Sequence, residues 1–156
     1  MPEDATNDLE ITYTRIKTGD PFPAWAPREQ LVAFFHETMQ PYHDSVPDIE
    51  AALDYCLDPQ RDGFIMLSHQ GEELLGALTM LDSGMGGYIP RWILLFVSVM
   101  PEARGRGIGG KLVQHSLDQC NGPVKLHVEY ENPAKRLYER LGFESKYAEM
   151  RWEPSS

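Results

Sequence analysis

The chain has 156 residues, 42% hydrophobic and 24% charged, with 24 Asp and Glu against 14 Lys and Arg for a formal net charge of −10. This suits one domain, residues 1–156, with a hydrophobic core, and excludes a disordered chain. It argues against nucleic acid, whose non-specific binding rests on neutralised phosphates, and no apolar run is long enough for a membrane span.

Residues 1–10 are acidic and polar, unlike a signal peptide or anchor, so a cytoplasmic location is expected; 1–9 and 153–156 should fray. Ile11, Tyr13 and Arg15 alternate with Thr12, Thr14 and Ile16, predicting a first strand. Pro27 opens a helix with Leu31, Phe34, Phe35 and Met39 at helical spacing, and Pro41 stops it. Ser45, Pro47 and Asp48 start a second helix that presents Ile49, Leu53, Cys56 and Leu57 on one face. Cys56 and Cys120 lie in apolar helical patterns without metal-ligand spacing, so they read as reduced core thiols, and no metal is expected.

Residues 64–69 and 73–81, joined around Gly71, predict an antiparallel hairpin. A loop with Gly84, Gly86 and Gly87 follows. Residues 92–99 are continuously apolar, as for a central strand covered on both faces, and a helix is predicted over 111–120. Val124, Leu126 and Val128 alternate with Lys125, His127 and Glu129 in the next strand. Asn132 suits an N-cap and Pro133 a first helical residue, with Gly142 as the stop and a last strand over 143–152.

Between the apolar strand and the helix stands Arg104-Gly105-Arg106-Gly107-Ile108-Gly109-Gly110, four glycines in six residues. Glycines let backbone amides approach an anion, and a helix start adds its positive dipole end, so the segment reads as a phosphate cradle. Gly105, Gly107 and Gly110 also fit a dinucleotide fingerprint, with Glu129 near the ribose-binding distance, but residues 100–104 separate them from the strand end. Gly105 to Lys111 fits a P-loop, except that Leu112 stands where magnesium needs a hydroxyl.

Arg104, Gly107 and Gly109, in the order Arg-x-x-Gly-x-Gly after Val97-Ser98-Val99, resemble the signature of the GCN5-related N-acetyltransferase superfamily. Residues 132–143, with Leu137-Tyr138-Glu139 and Gly142-Phe143, are similar to a second block near the end of those enzymes. The resemblance implies an α/β fold with a mixed, mostly antiparallel sheet flanked by helices, its central strands splayed. It implies acetyl transfer from acetyl-CoA to a primary amine of a small molecule or peptide. The alternative is a non-catalytic acyl-CoA-binding regulatory module. No cofactor beyond acetyl-CoA is implied, and a homodimer is compatible with the resemblance.

On that reading Arg104, Gly105, Arg106, Gly107, Ile108, Gly109 and Gly110 hold the pyrophosphate, while the backbone of Val97, Ser98 and Val99 aligns the pantetheine arm by edge pairing. Tyr138 matches the family's acid for the thiolate. An amine of pKa about 10.4 must lose a proton before it attacks. His127, a strand residue off the core face, is the first candidate base, Glu129 the second and a water relay the third. Asn132 stands one residue closer to Tyr138 than the family's coenzyme-binding asparagine, so it is a cap as well as a candidate contact.

Overall fold

The computed structural model describes residues 11–155; the readings of residues 1–10 and of Ser156 lie outside them. Five strands, β1 (Thr12–Lys17), β2 (Phe64–Gln70), β3 (Glu73–Asp82), β4 (Trp92–Val99) and β5 (Val124–Leu126), form one sheet in the order β1-β2-β3-β4-β5. Neighbours are antiparallel except β4 and β5, which are parallel. The helices are α1 (Arg28–Thr38), α2 (Val46–Cys56), α3 (Ile108–Leu117) and α4 (Ala134–Arg140). Ser45 caps α2 as the sequence predicts, its Oγ accepting from the Asp48 amide at 3.3 Å.

Adjacent strand residues serve opposite cores. Ile65, Leu67 and Ala77 pack with Leu31, Phe35, Ile49 and Leu53 of α1 and α2. Phe64, Met66, Leu78 and Met80 pack with Leu112 and Val113 of α3 and Tyr138 of α4. Helices on both faces explain why β2 and β3 are buried at nearly every position.

β4 departs from the simple two-sided strand its composition suggests. Its pairing with β3 runs Thr79↔Phe96 and then Met80↔Leu94, so Leu95 is an extra residue, a β-bulge. The bulge shifts the side-chain alternation: Trp92 and Leu94 pack toward α3 and α4, whereas Phe96 packs toward α1, its ring 5.4 Å from that of Phe35. Leu95 itself is 37% exposed. Thr79, fully buried, accepts the Phe96 amide at 3.0 Å on its Oγ1 and so satisfies a donor beside the irregularity.

Three boundaries differ from expectation. α3 begins at Ile108 rather than Lys111, because Gly107 (φ 78°) takes the left-handed N-cap position and brings Gly109 and Gly110 into the first turn. β5 stops at Leu126, so His127 and Glu129 lie beyond the strand. Residues 143–152 join no ladder among the described residues: a three-residue edge is a short template, and Glu144, Lys146, Glu149 and Arg151 favour solvent.

Candidate active site

The β4–β5 ladder pairs Trp92, Ile93 and Leu94 with Val124, Lys125 and Leu126, and ends there, beside the bulge. Val97, Ser98 and Val99 stay paired to Leu78, Ala77 and Gly76 of β3, while their β5-side edge has no strand partner among the described residues. The expected splay is thus present as a short parallel ladder that opens toward the C-terminal end of both strands. An unpaired edge held by a paired one is a template for an extended, amide-bearing ligand.

The cradle sits at that open end. A 3-10 turn, Pro101–Ala103, leads to Gly105 (φ 81°) and Gly107 (φ 78°), both left-handed and both with open space where a Cβ would project. Gly109 and Gly110 do a different job. A Cβ on Gly109 would stand 3.4 Å from Val99 Cγ2, and one on Gly110 3.3 Å from Leu137 Cδ1, so these two let α3 pack close to β4 and α4. The amides at the start of α3 have no intrahelical partner and carry the positive end of its dipole. Arg106 and Lys111 are exposed and form no ion pair among the described residues.

Arg104 joins two backbone carbonyls. Its Nε donates to Val99 O at 3.0 Å and its Nη2 to Thr38 O at 2.7 Å, so it ties the end of β4 to the end of α1.

Tyr138 is 8% exposed, edge-on to Phe143 with ring centroids 5.8 Å apart, and burial pushes its hydroxyl up to about 12. It therefore stays protonated, a permanent donor, throughout the neutral range. His127 and Glu129 are exposed. Asn132 is half-buried, and its Oδ1 accepts from the Ala134 amide at 2.9 Å, the capping role. Beside it, Tyr130, Glu131, Lys135 and Arg136 line a surface groove of about 520 Å³.

The sequence reading missed Thr38 and Thr79. Thr79 carried a faint signal, a lone hydroxyl in the apolar run from Ala77 to Leu81. Thr38 carried none, since it contributes only its carbonyl.

The Acetyltransferase (GNAT) family profile matches residues 26–143, which takes in every helix and all but the first strand. The chain belongs to the GNAT acetyltransferase family. A probable acetyltransferase superposes with TM-score 0.66 at 20% identity, covering 93% of this chain and 98% of its own. A GNAT family protein from Streptococcus pneumoniae gives TM-score 0.64 at 18% identity over 94% and 99% of the two chains. An aminoglycoside acetyltransferase from an uncultured soil metagenomic sample, solved with sisomicin, gives 0.65 at 15% identity over 93% and 97%. These likenesses establish the fold. The cysteine-rich protein 2-binding proteins of mouse and human are 40% identical over 52 residues, 33% of this chain but only 7% of theirs. Among the described residues no helix is long and apolar enough to cross a membrane.

Proposed function

We propose that the chain is an acetyl-CoA-dependent N-acetyltransferase, a single domain that moves the acetyl group directly to a primary amine of a small molecule or peptide. The observation that carries this is the ending of the β4–β5 ladder at Leu94 and Leu126 next to the glycine cradle. An open backbone edge suits the amides of a pantetheine arm, and adjacent helix amides suit its pyrophosphate. Gly105, Gly107 and the first amides of α3 hold the phosphates, with Arg106 and Lys111 adding charge. The backbone of Val97, Ser98 and Val99 orients the arm. Ile108, Gly109 and Gly110 lend those first amides, and the two glycines also seat α3 close to Val99 and Leu137. Asn132 acts as the α4 cap, and in the neighbouring groove Glu131 and Glu139 balance Lys135 and Arg136, with Lys135 Nζ paired to Glu139 Oε2 at 2.7 Å.

The amine attacks the thioester carbonyl; the C–S bond breaks and the thiolate leaves. Tyr138 donates a hydrogen bond to the developing thiolate. A hydroxyl near 12 is a weaker acid than a thiol of about 8.5, so stabilisation in the transition state, rather than prior ionisation, is its contribution. His127, Glu129 or a water takes the ammonium proton. The test is release of free CoA across amines, polyamines, peptides and aminoglycosides, the last included because of the sisomicin-bound neighbour. Tyr138→Phe should lower kcat by about a hundredfold with CoA affinity held within about twofold. Unaltered kcat would remove Tyr138 from the mechanism.

A second reading, a non-catalytic acyl-CoA-binding module, is favoured by one observation: no side-chain hydrogen bond among the described residues orients the exposed His127 or Glu129. It predicts CoA binding by calorimetry with no turnover of any amine.

A further inference from the structure

We propose that Arg104 is a positioning residue for the acceptor side of the site: it fixes residues 39–45, the strap joining α1 to α2, instead of serving as a ligand of the coenzyme phosphates. What the strap serves rests on the acetyltransferase reading, whereas the contacts that fix it do not.

Thr38 ends α1, and its carbonyl is one of the last four that a helix cannot pair internally. These carbonyls form the negative end of the helix dipole, where a cation is favoured. Arg104 supplies that cation from 66 residues away in sequence, through a 2.7 Å bond from Nη2. Its Nε is held by Val99 O at 3.0 Å, at the end of the open strand edge. With two sides of the guanidinium fork engaged, bidentate capture of a phosphate through that same pair of donors would break both bonds.

The strap leaves Thr38 through a turn closed by the Tyr42 amide on Met39 O at 2.9 Å. The Tyr42 hydroxyl then reaches Glu131 O, in the β5–α4 connection, at 3.4 Å, a long and therefore weak bond. The strap is thus tied to the β5 side through Tyr42, while the end of α1 from which it leaves is tied to the β4 side through Arg104. Arg104 makes the shorter, charge-assisted anchor. His43 travels on the strap with its ring edge-on to that of His36 of α1, centroids 4.9 Å apart, a second contact between the strap and the helix that Arg104 holds.

The test uses Arg104→Met and Arg104→Lys in the full chain, with amide hydrogen exchange, calorimetry with CoA, and steady-state kinetics on the best amine found. In Arg104→Met the strap amides should exchange about tenfold faster while those of α3 are unchanged, and CoA affinity should stay within about threefold. The acceptor KM should rise about tenfold with kcat within about threefold. Arg104→Lys, able to hold one carbonyl, should fall between Met and wild type on strap exchange. The proposal is overturned if CoA binding weakens tenfold or more with strap exchange unchanged, the signature of a direct phosphate ligand. Uniformly faster exchange in both variants also overturns it, because the role would then be general stability. If no amine is turned over, the function reading fails, and the exchange and CoA arms still decide the role of Arg104.

Discussion

The two ends of β4 are built on opposite principles. At the Trp92 end the strand is paired on both edges, with Asp82 on one side and Val124 on the other. The adjoining loop is latched by Asp82, whose carboxylate accepts from the Asp62 and Gly84 amides at 2.9 Å and from Arg91 Nε and Nη2 at 3.2 Å. At the Val99 end one edge has no strand partner among the described residues, the alternation has shifted at Leu95, and the chain runs into left-handed glycines. Unpaired backbone costs free energy unless water or a ligand satisfies it. The closed end supplies the rigidity that lets the open end remain available.

The sharpest way to break this contrast is to place a charge at the open end. Gly107→Glu adds a side chain and a negative charge where a Cβ meets no neighbour, at the N-terminus of α3. CoA affinity should fall about a hundredfold, equivalent to about 2.7 kcal/mol, by calorimetry. The left-handed φ adds a folding cost of about 1–2 kcal/mol, read separately by urea titration. CoA affinity unchanged in the folded variant would mean that the glycines serve the turn alone.

The bulge is the hinge between the two ends, and Thr79 is what satisfies it. Thr79→Val keeps the shape but deprives the Phe96 amide of its 3.0 Å acceptor. Leaving a buried donor unpaired should cost about 2 kcal/mol of stability by denaturant titration, and backbone exchange should rise most around residues 94–97. A loss of stability with uniform exchange would show that the bulge is not a local element.

The open end was the more legible of the two in the sequence. Dense glycines before an amphipathic helix have few structural explanations, and Leu137-Tyr138-Glu139 marked the second block. The element order was likewise readable from periodicity and caps such as Ser45. The bulge was not: in Trp92-Ile93-Leu94-Leu95-Phe96 every side chain is apolar, so a one-residue slip leaves the pattern unbroken. The helix start was misplaced because glycine weighs against helix in propensity, while here Gly109 and Gly110 are selected by contact with Val99 and Leu137. The place of Arg104 rests on a carbonyl 66 residues away, which no local pattern encodes.

The smallest expected effect tests the closed end. Asp82 is held down to about 2 from an ordinary 3.8, first by the hydrogen bond from Arg91 and then, against the opposing effect of burial, by the Asp62 and Gly84 amides. A carboxyl depressed by folding contributes stability that is complete above its unfolded value. That contribution is lost as pH falls from about 4 toward 2. Its side chain is only 7% exposed, but Arg91 is 33% and Asp62 60% exposed, so solvent screens much of the network. Asp82→Asn retains one acceptor oxygen and should cost about 1 kcal/mol at pH 7. Urea midpoints measured from pH 7 to pH 2 should converge for wild type and variant at the acid end, because the protonated carboxyl and the introduced amide are then both uncharged. A constant gap across that range would mean that the latch works by shape rather than by charge. CoA affinity at pH 7 should be the same in both proteins, since the open end lies at the other end of the strand.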